Sequence, residues 1–184
     1  MNKAAVAAFC LAALVGGTSA APAPAENARV AGASHCRNGE RIVYSCRFGR
    51  KTGSVCLGAN SLHYRFGPLG RPELDLSSLP DWSNIHIGGN RSQAGLNQNH
   101  IRFTKLDTHY VVHAGETGQY NERPGFRISG IVVLKGASAE NQIASLSCRG
   151  GKQFSDDAYR DFTNAAPDTW DGWEADGGSF DAIY

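Results

Sequence analysis

Five cysteines, four of them behind an apolar leader, constrain this chain more than any other feature. Cys10 lies inside the leader. Cys36, Cys46 and Cys56 follow at equal spacing, and Cys148 closes the last apolar run. Residues 1–20 have the parts of a secretory signal peptide: Lys3 as a positive start, a small-residue apolar core, and Thr18-Ser19-Ala20 as a cleavage site. That core is shorter than the roughly 20 residues a membrane-spanning helix needs, and Cys10 sits too deep in it for lipid attachment. No membrane span is expected. The sequence therefore predicts a soluble protein of the periplasm or the extracellular space, with its cysteines paired.

Four cysteines in the mature chain allow three connectivities, and sequence does not choose among them. The stretch Gly49-Arg50-Lys51-Thr52-Gly53 suggests a hairpin centred on Lys51, which sets Cys46 opposite Cys56. Opposed strand residues lie about 4.5–5.5 Å apart at Cα, within disulfide reach. This geometry favours Cys46–Cys56 and leaves Cys36 for Cys148. A zinc site is a poor fit, since there is no Cys-x-x-Cys and export oxidises thiols.

Residues 21–35 are rich in Ala and Pro and read as a flexible linker. Residues 36–152 read as a disulfide-stapled β domain. Apolar and polar residues alternate there in short runs: Ile42, Tyr44, Cys46 and Phe48; then Leu62, Tyr64 and Phe66; then Leu74 and Leu76. Ile101 and Phe103, Tyr110 and Val112, and the runs 126–134 and 143–148 continue the series. Period two with β-branched and aromatic residues predicts strands. About seven or eight of them make an all-β antiparallel sandwich or a small closed barrel. The length suits one core. Residues 83–99, polar and Gly-rich, are expected to be a long loop. Arg41, Arg47, Arg65, Arg102 and Arg127 fall on the faces expected to be wet. Tyr64, Phe66 and Phe103 fall on the opposite faces, whereas a single-strand nucleic-acid binder wants aromatics beside its charges. Nucleic acid is therefore not the expected partner.

Residues 153–184 form an acidic aromatic tail. Its first part, 154–164, predicts a short helix with Ser155 as N-cap and Asp156 and Asp157 in the first turn. Beyond Pro167 acidic and aromatic residues follow without a period, as in a disordered or loosely docked segment. The net charge of +1 hides a split. Residues 21–154 hold 16 Lys or Arg against 9 Asp or Glu, and residues 155–184 hold one Arg against 8 acids. Such a tail can fold back on the basic domain through Trp170, Trp173, Phe180 and Tyr184, capture a basic partner, or serve as a solubiliser.

Catalytic signals are sparse. His109 and His113 stand on a strand pattern, about 13 Å apart along it, too far to share a metal. His63 and His100 are expected on strand surfaces. His86, before Ile87-Gly88-Gly89-Asn90, is the histidine best placed to meet a ligand. There is no Gly-x-Ser-x-Gly elbow, and paired cysteines leave no free thiol. Glu73, Asp75 and Asp81 cluster in sequence, but nothing marks an acid/base pair among them. Asp171-Gly172 and Asp176-Gly177 miss calcium-loop spacing. No metal or cofactor is expected.

Tyr44-Ser45-Cys46, Ser54-Val55-Cys56, the run from Leu62 to Gly67, Gly130-Ile131-Val132-Val133 and Leu146-Ser147-Cys148 together resemble a group of uncharacterised small secreted proteins of Gram-negative bacteria. The resemblance covers residues 36–150 and implies no activity. The Tyr-x-Cys strand at Tyr44 and the closing Cys148 are also similar in architecture to periplasmic lysozyme inhibitors, which are small exported antiparallel β domains. The Ser/Gly/Tyr inhibitory signature of that group is absent here, since Ser129-Gly130 leads into Ile131-Val132-Val133. Its topology implies a Cys46–Cys148 pairing, against the hairpin geometry.

The functional expectation is an exported non-enzymatic domain that binds a protein or cell-envelope ligand, such as an inhibitor of a basic enzyme like lysozyme. The candidate binding residues are Trp170, Asp171, Trp173, Glu174, Asp176 and His86. The runner-up is a secreted enzyme acting on cell-envelope polymers, with His86 or His113 and a carboxylate of the domain in its site. A third reading is a structural envelope component.

Overall fold

Nine strands form two antiparallel sheets in the computed structural model, which describes residues 34–91, 95–136, 141–149 and 153–173. The expected signal peptide, most of the linker, and Glu174, Asp176, Phe180 and Tyr184 lie outside the described residues. The first sheet holds β1 (Arg41–Phe48), β2 (Lys51–Leu57), β3 (Leu62–Pro68) and β4 (Leu74–Ser77), in that order. The second holds β5 (Ile85–Asn90), β6 (Leu96–Lys105), β7 (Thr108–Thr117), β8 (Arg127–Lys135) and β9 (Asn141–Ser147). The sheets do not close on one another, so the architecture is a sandwich and not a barrel.

The alternation in sequence explains the layer between the sheets. Tyr44, Val55, Leu62, Tyr64 and Leu76 from the first sheet share one buried cluster with Ile85, Ile87, Ile101, Phe103, Val112 and Ile131 from the second. The Tyr64 ring lies 5.7 Å from Phe103 and 5.8 Å from Tyr110, joining the sheets. One bulge modifies the expected pattern. The register slips between Ile42 and Tyr44, so the adjacent residues Val43 and Tyr44 are both buried.

The stretch 83–99 is not a loop. It contains β5 and the start of β6. Ile85 and Ile87 face inward with strand periodicity, and the glycines allow close approach instead of a turn. A Cβ on Gly89 would overlap the backbone of Gln98 on β6.

The disulfides are Cys36–Cys56 and Cys46–Cys148, with Cα separations of 5.3 and 6.0 Å. The Cys46–Cys56 and Cys36–Cys148 pairing expected from the hairpin is thereby corrected. The turn is the two-residue Gly49-Arg50, with Gly49 at φ +63° as a primed hairpin turn asks of its first position. That register places Cys46 opposite Gly53 and Cys56 opposite Ile42. Side chains alternate along β2, so Cys56 points to the outer face while Cys46 points to the core. Cys56 instead meets Cys36, carried across the outer face by residues 34–40. Ser34 and His35, at the end of the expected linker, are already buried there. Two disulfides fit an oxidising, extracytoplasmic environment. Among the described residues no helix is long and apolar enough to cross a membrane.

The helix α1 (Asp156–Ala165) starts after Ser155, as expected, with Asp156 and Asp157 in its first turn. The Ser155 side chain makes no capping bond. Its backbone N–H instead donates to the Val43 carbonyl on the outer edge of β1, at 2.9 Å. Ala158 and Phe162 are buried, and Phe162 stacks on Trp82 with ring centroids 5.3 Å apart. The chain then reaches the outer edge of β5. There Ile87 N–H donates to Gly172 O at 2.8 Å, and Trp173 forms a parallel bridge with Ile87. Residues 153–173 are thus a strap from the edge of one sheet to the edge of the other.

Candidate functional site

The turn into β5 begins with a buried aromatic in a costly conformation. Trp82 has φ +55°, a region that bulky residues rarely enter. Its ring is almost wholly buried, stacked on Phe162 and edge-on to Trp170 at 6.2 Å. The turn is pinned by Trp82 N–H to Leu79 O and Ile85 N–H to Trp82 O, both 2.9 Å. With Trp82 held inside, its neighbours Asp81 and Ser83 are turned to solvent. Ser83 donates to Asp81 Oδ1 through its N–H at 3.1 Å and its hydroxyl at 2.9 Å. The backbone bond and then the hydroxyl bond hold the Asp81 carboxyl below the usual carboxylate range.

The strap supplies the other side. The Trp170 indole N–H donates to Ile85 O at 3.0 Å. The indole lies so close to Gly172 that any Cβ there would overlap it. Trp173 continues the aromatic row, 6.3 Å from Trp170, and is 60% exposed.

Between turn and strap opens a cleft of about 330 Å³. Asp81, Ser83, Ile85 and His86 line it from the β5 side, and Thr169, Trp170, Asp171 and Gly172 from the strap. Of the residues singled out from sequence, His86, Trp170 and Asp171 are brought together here, and Trp173 adjoins them. Glu174 and Asp176 lie outside the described residues. Asp81, Ser83 and Thr169 were not among the candidates. The pattern Asp81-Trp82-Ser83 carries an Asx-turn signal that could have found the first two. The sequence cluster Glu73, Asp75 and Asp81 does not converge. Glu73 pairs with Lys51 at 2.5 Å, Asp75 pairs with Arg65 at 3.0 Å and Arg37 at 2.9 Å, and Asp81 goes to the cleft.

His63, His100, His109 and His113 are built into the sheets. His100, expected on a surface, is fully buried opposite His113 in the β6–β7 ladder. Burial, and then the neighbouring His100, push His113 down to about 4. His113 lies against Gly130, where a Cβ would come 2.8 Å from its Nε2, and it does not line the cleft. His109 has Thr104 Oγ1 3.0 Å from Nδ1 and Gly136 O 3.0 Å from Nε2. His63 sits between the hydroxyls of Ser61 and Ser77, each at 2.9 Å. Burial, and then the Arg65 charge, lower its pKa. Two of the five arginines expected on wet faces, Arg65 and Arg102, are buried. Cys36, Glu40 and Cys56 stand within metal-ligand distance of one another, but the two sulfurs are joined as a disulfide.

No protein-family model, curated protein or solved structure matches the chain.

Proposed function

We propose that this is an exported, non-enzymatic binding domain, acting in the periplasm or outside the cell, that captures a basic protein through the cleft between the β5 turn and the strap. Lysozyme is the first target to test. The observation that carries the reading is the convergence of Asp81 and Asp171, distant in sequence, on one cleft beside Trp170. Exposed Trp173 extends the contact surface, and tryptophan is enriched among residues that dominate binding energy. The Cys46–Cys148 bond, which the architectural similarity to lysozyme inhibitors implied, supports the same reading.

The test uses the immobilised mature protein against a panel of lysozymes and other purified basic proteins at low salt, beside an Asp81→Asn/Asp171→Asn variant. The expected result is capture by the parent, loss of most of that capture in the variant, and steep weakening with salt, as for electrostatically steered association. Unchanged lysozyme activity together with no retained basic protein at low salt would sink the proposal.

One observation favours the enzymatic alternative. His86 shares the cleft with two carboxylates, the residue types that act on glycosidic bonds of envelope polymers. If His86→Ala leaves every detected hydrolytic activity intact, that alternative is removed.

A further inference from the structure

We infer that the cleft is a receptor for a single guanidinium group, presented by an arginine exposed on the partner. The inference rests on the binding reading above and specifies its chemistry. The cleft, at about 330 Å³, lies at the small end of ligand-pocket sizes and has room for one side-chain head group. Its lining holds two carboxylates and neither Lys nor Arg. Asp81 Oδ1 is engaged by Ser83, and among the described residues neither Asp81 nor Asp171 pairs with a Lys or Arg. The two carboxylates therefore have no Lys or Arg counter-charge among the described residues.

Beside those carboxylates lies the Trp170 indole, fixed by its bond to Ile85 O and by its packing on Gly172. A planar cation can stack on an indole while donating in plane to carboxylates, and its weak hydration makes it the easier cation to desolvate. An ammonium offers a point charge without that plane. A sugar would also stack on tryptophan, but it brings no charge to the two aspartates.

The experiment titrates the mature protein with L-argininamide, which has no carboxylate. L-lysinamide, L-citrullinamide (an isostere whose side chain is uncharged) and glucose are titrated in parallel. The readouts are the Trp170 indole N–H resonance and tryptophan fluorescence. Argininamide should bind saturably and shift the Trp170 signal. Lysinamide should bind more weakly, and citrullinamide and glucose should not saturate. Asp171→Asn should weaken argininamide binding about tenfold or more, because the guanidinium then donates to a neutral amide oxygen instead of a carboxylate. Asp171 is exposed, so this variant keeps the fold, which an unchanged melting temperature verifies. Equal binding of citrullinamide or glucose overturns the inference, as does no saturable shift with argininamide. In either case a basic protein captured in the earlier experiment leaves the binding reading standing. Argininamide bound with no basic protein captured supports the guanidinium site and removes that reading.

Discussion

Arg65 holds the outer face of the four-stranded sheet to the segment that covers it. Its guanidinium is fully buried. Nη1 and Nη2 donate to the two Glu40 oxygens at 2.5 and 2.9 Å, Nε donates to Asp75 Oδ2 at 3.0 Å, and Nη1 also reaches His35 O at 3.2 Å. Burial alone would lower the arginine's pKa, but the hydrogen bonds to Glu40 and then Asp75 outweigh it and raise it. Arg65→Met would strand the Glu40 carboxylate, and breaking one side of such a pair costs about 3–5 kcal/mol. The lower end is expected, because Asp75 is one-third exposed and can turn to water. Urea denaturation should show a clearly lower midpoint for Arg65→Met and a smaller drop for Arg65→Lys, which keeps the charge and loses the fork. An unmoved midpoint would mean that desolvation cancels the network. Periodicity placed Arg65 on the correct face of β3. Its burial was not legible, because the cover comes from residues 34–40, a polar segment held there by a disulfide whose pairing sequence leaves open.

At the scale of elements, local chemistry read well where one residue type decides and poorly where a register decides. Ser155 and the two aspartates after it marked the start of α1 correctly. The hairpin did not, because its turn at Gly49-Arg50 is shorter than the Gly-to-Gly stretch suggested, and the shift moved Cys56 to the other face. β5 was missed because Gly88-Gly89-Asn90 has the composition of a loop, and only the packing against β6 shows why glycine is required. The cleft was half legible. His86, Trp170 and Asp171 stood out by type, while Asp81 reaches them only through the left-handed turn at Trp82. The two disulfides differ in sequence separation, 102 residues for Cys46–Cys148 and 20 for Cys36–Cys56. In the chain-entropy account, removing the longer link costs about 4.7 kcal/mol and the shorter about 3 kcal/mol. Cys46→Ala/Cys148→Ala should therefore melt lower than Cys36→Ala/Cys56→Ala, and the reverse order would point to native-state packing around Cys36. Gly172→Ala should release the strap from β5, because the added methyl overlaps the Trp170 indole. The expected sign is a red-shifted tryptophan emission and faster amide exchange at Ile87, with the Cys46–Cys148 bond intact.

For the whole molecule, the described part of the acidic segment, residues 155–173, packs on the basic domain. Phe154, Ala158 and Phe162 belong to the central core, and Asp161 pairs with Arg41 at the start of β1. Stability should depend on pH in a defined window. His113, depressed from 6.5 to about 4, stays neutral in the folded chain while the unfolded chain takes up a proton. Stability is then complete above about pH 6.5 and falls as pH drops toward 4, by up to about 3 kcal/mol for a shift of that size. Glu40 is held low by Arg65 and by the Arg37 N–H against the opposing effect of burial. It adds a further loss as pH falls below its ordinary 4.5. Thermal melts from pH 8 to 4 should show the first decline, and His113→Gln should flatten it. An unchanged slope in that variant would assign the decline to other groups.

The strap also sets an order of events in the life of the chain. Its anchors, Ser155 on Val43 and Gly172 on Ile87, come late in synthesis, as does the Cys148 partner of Cys46. A nascent polypeptide halted near residue 145 has nearly all the strands of both sheets but lacks Phe154 and Phe162 of the core and Trp170, which packs against it. Such a truncated chain should stay protease-sensitive when a chain that includes the strap is not, and equal resistance of the two would mean that the sheets hold without it.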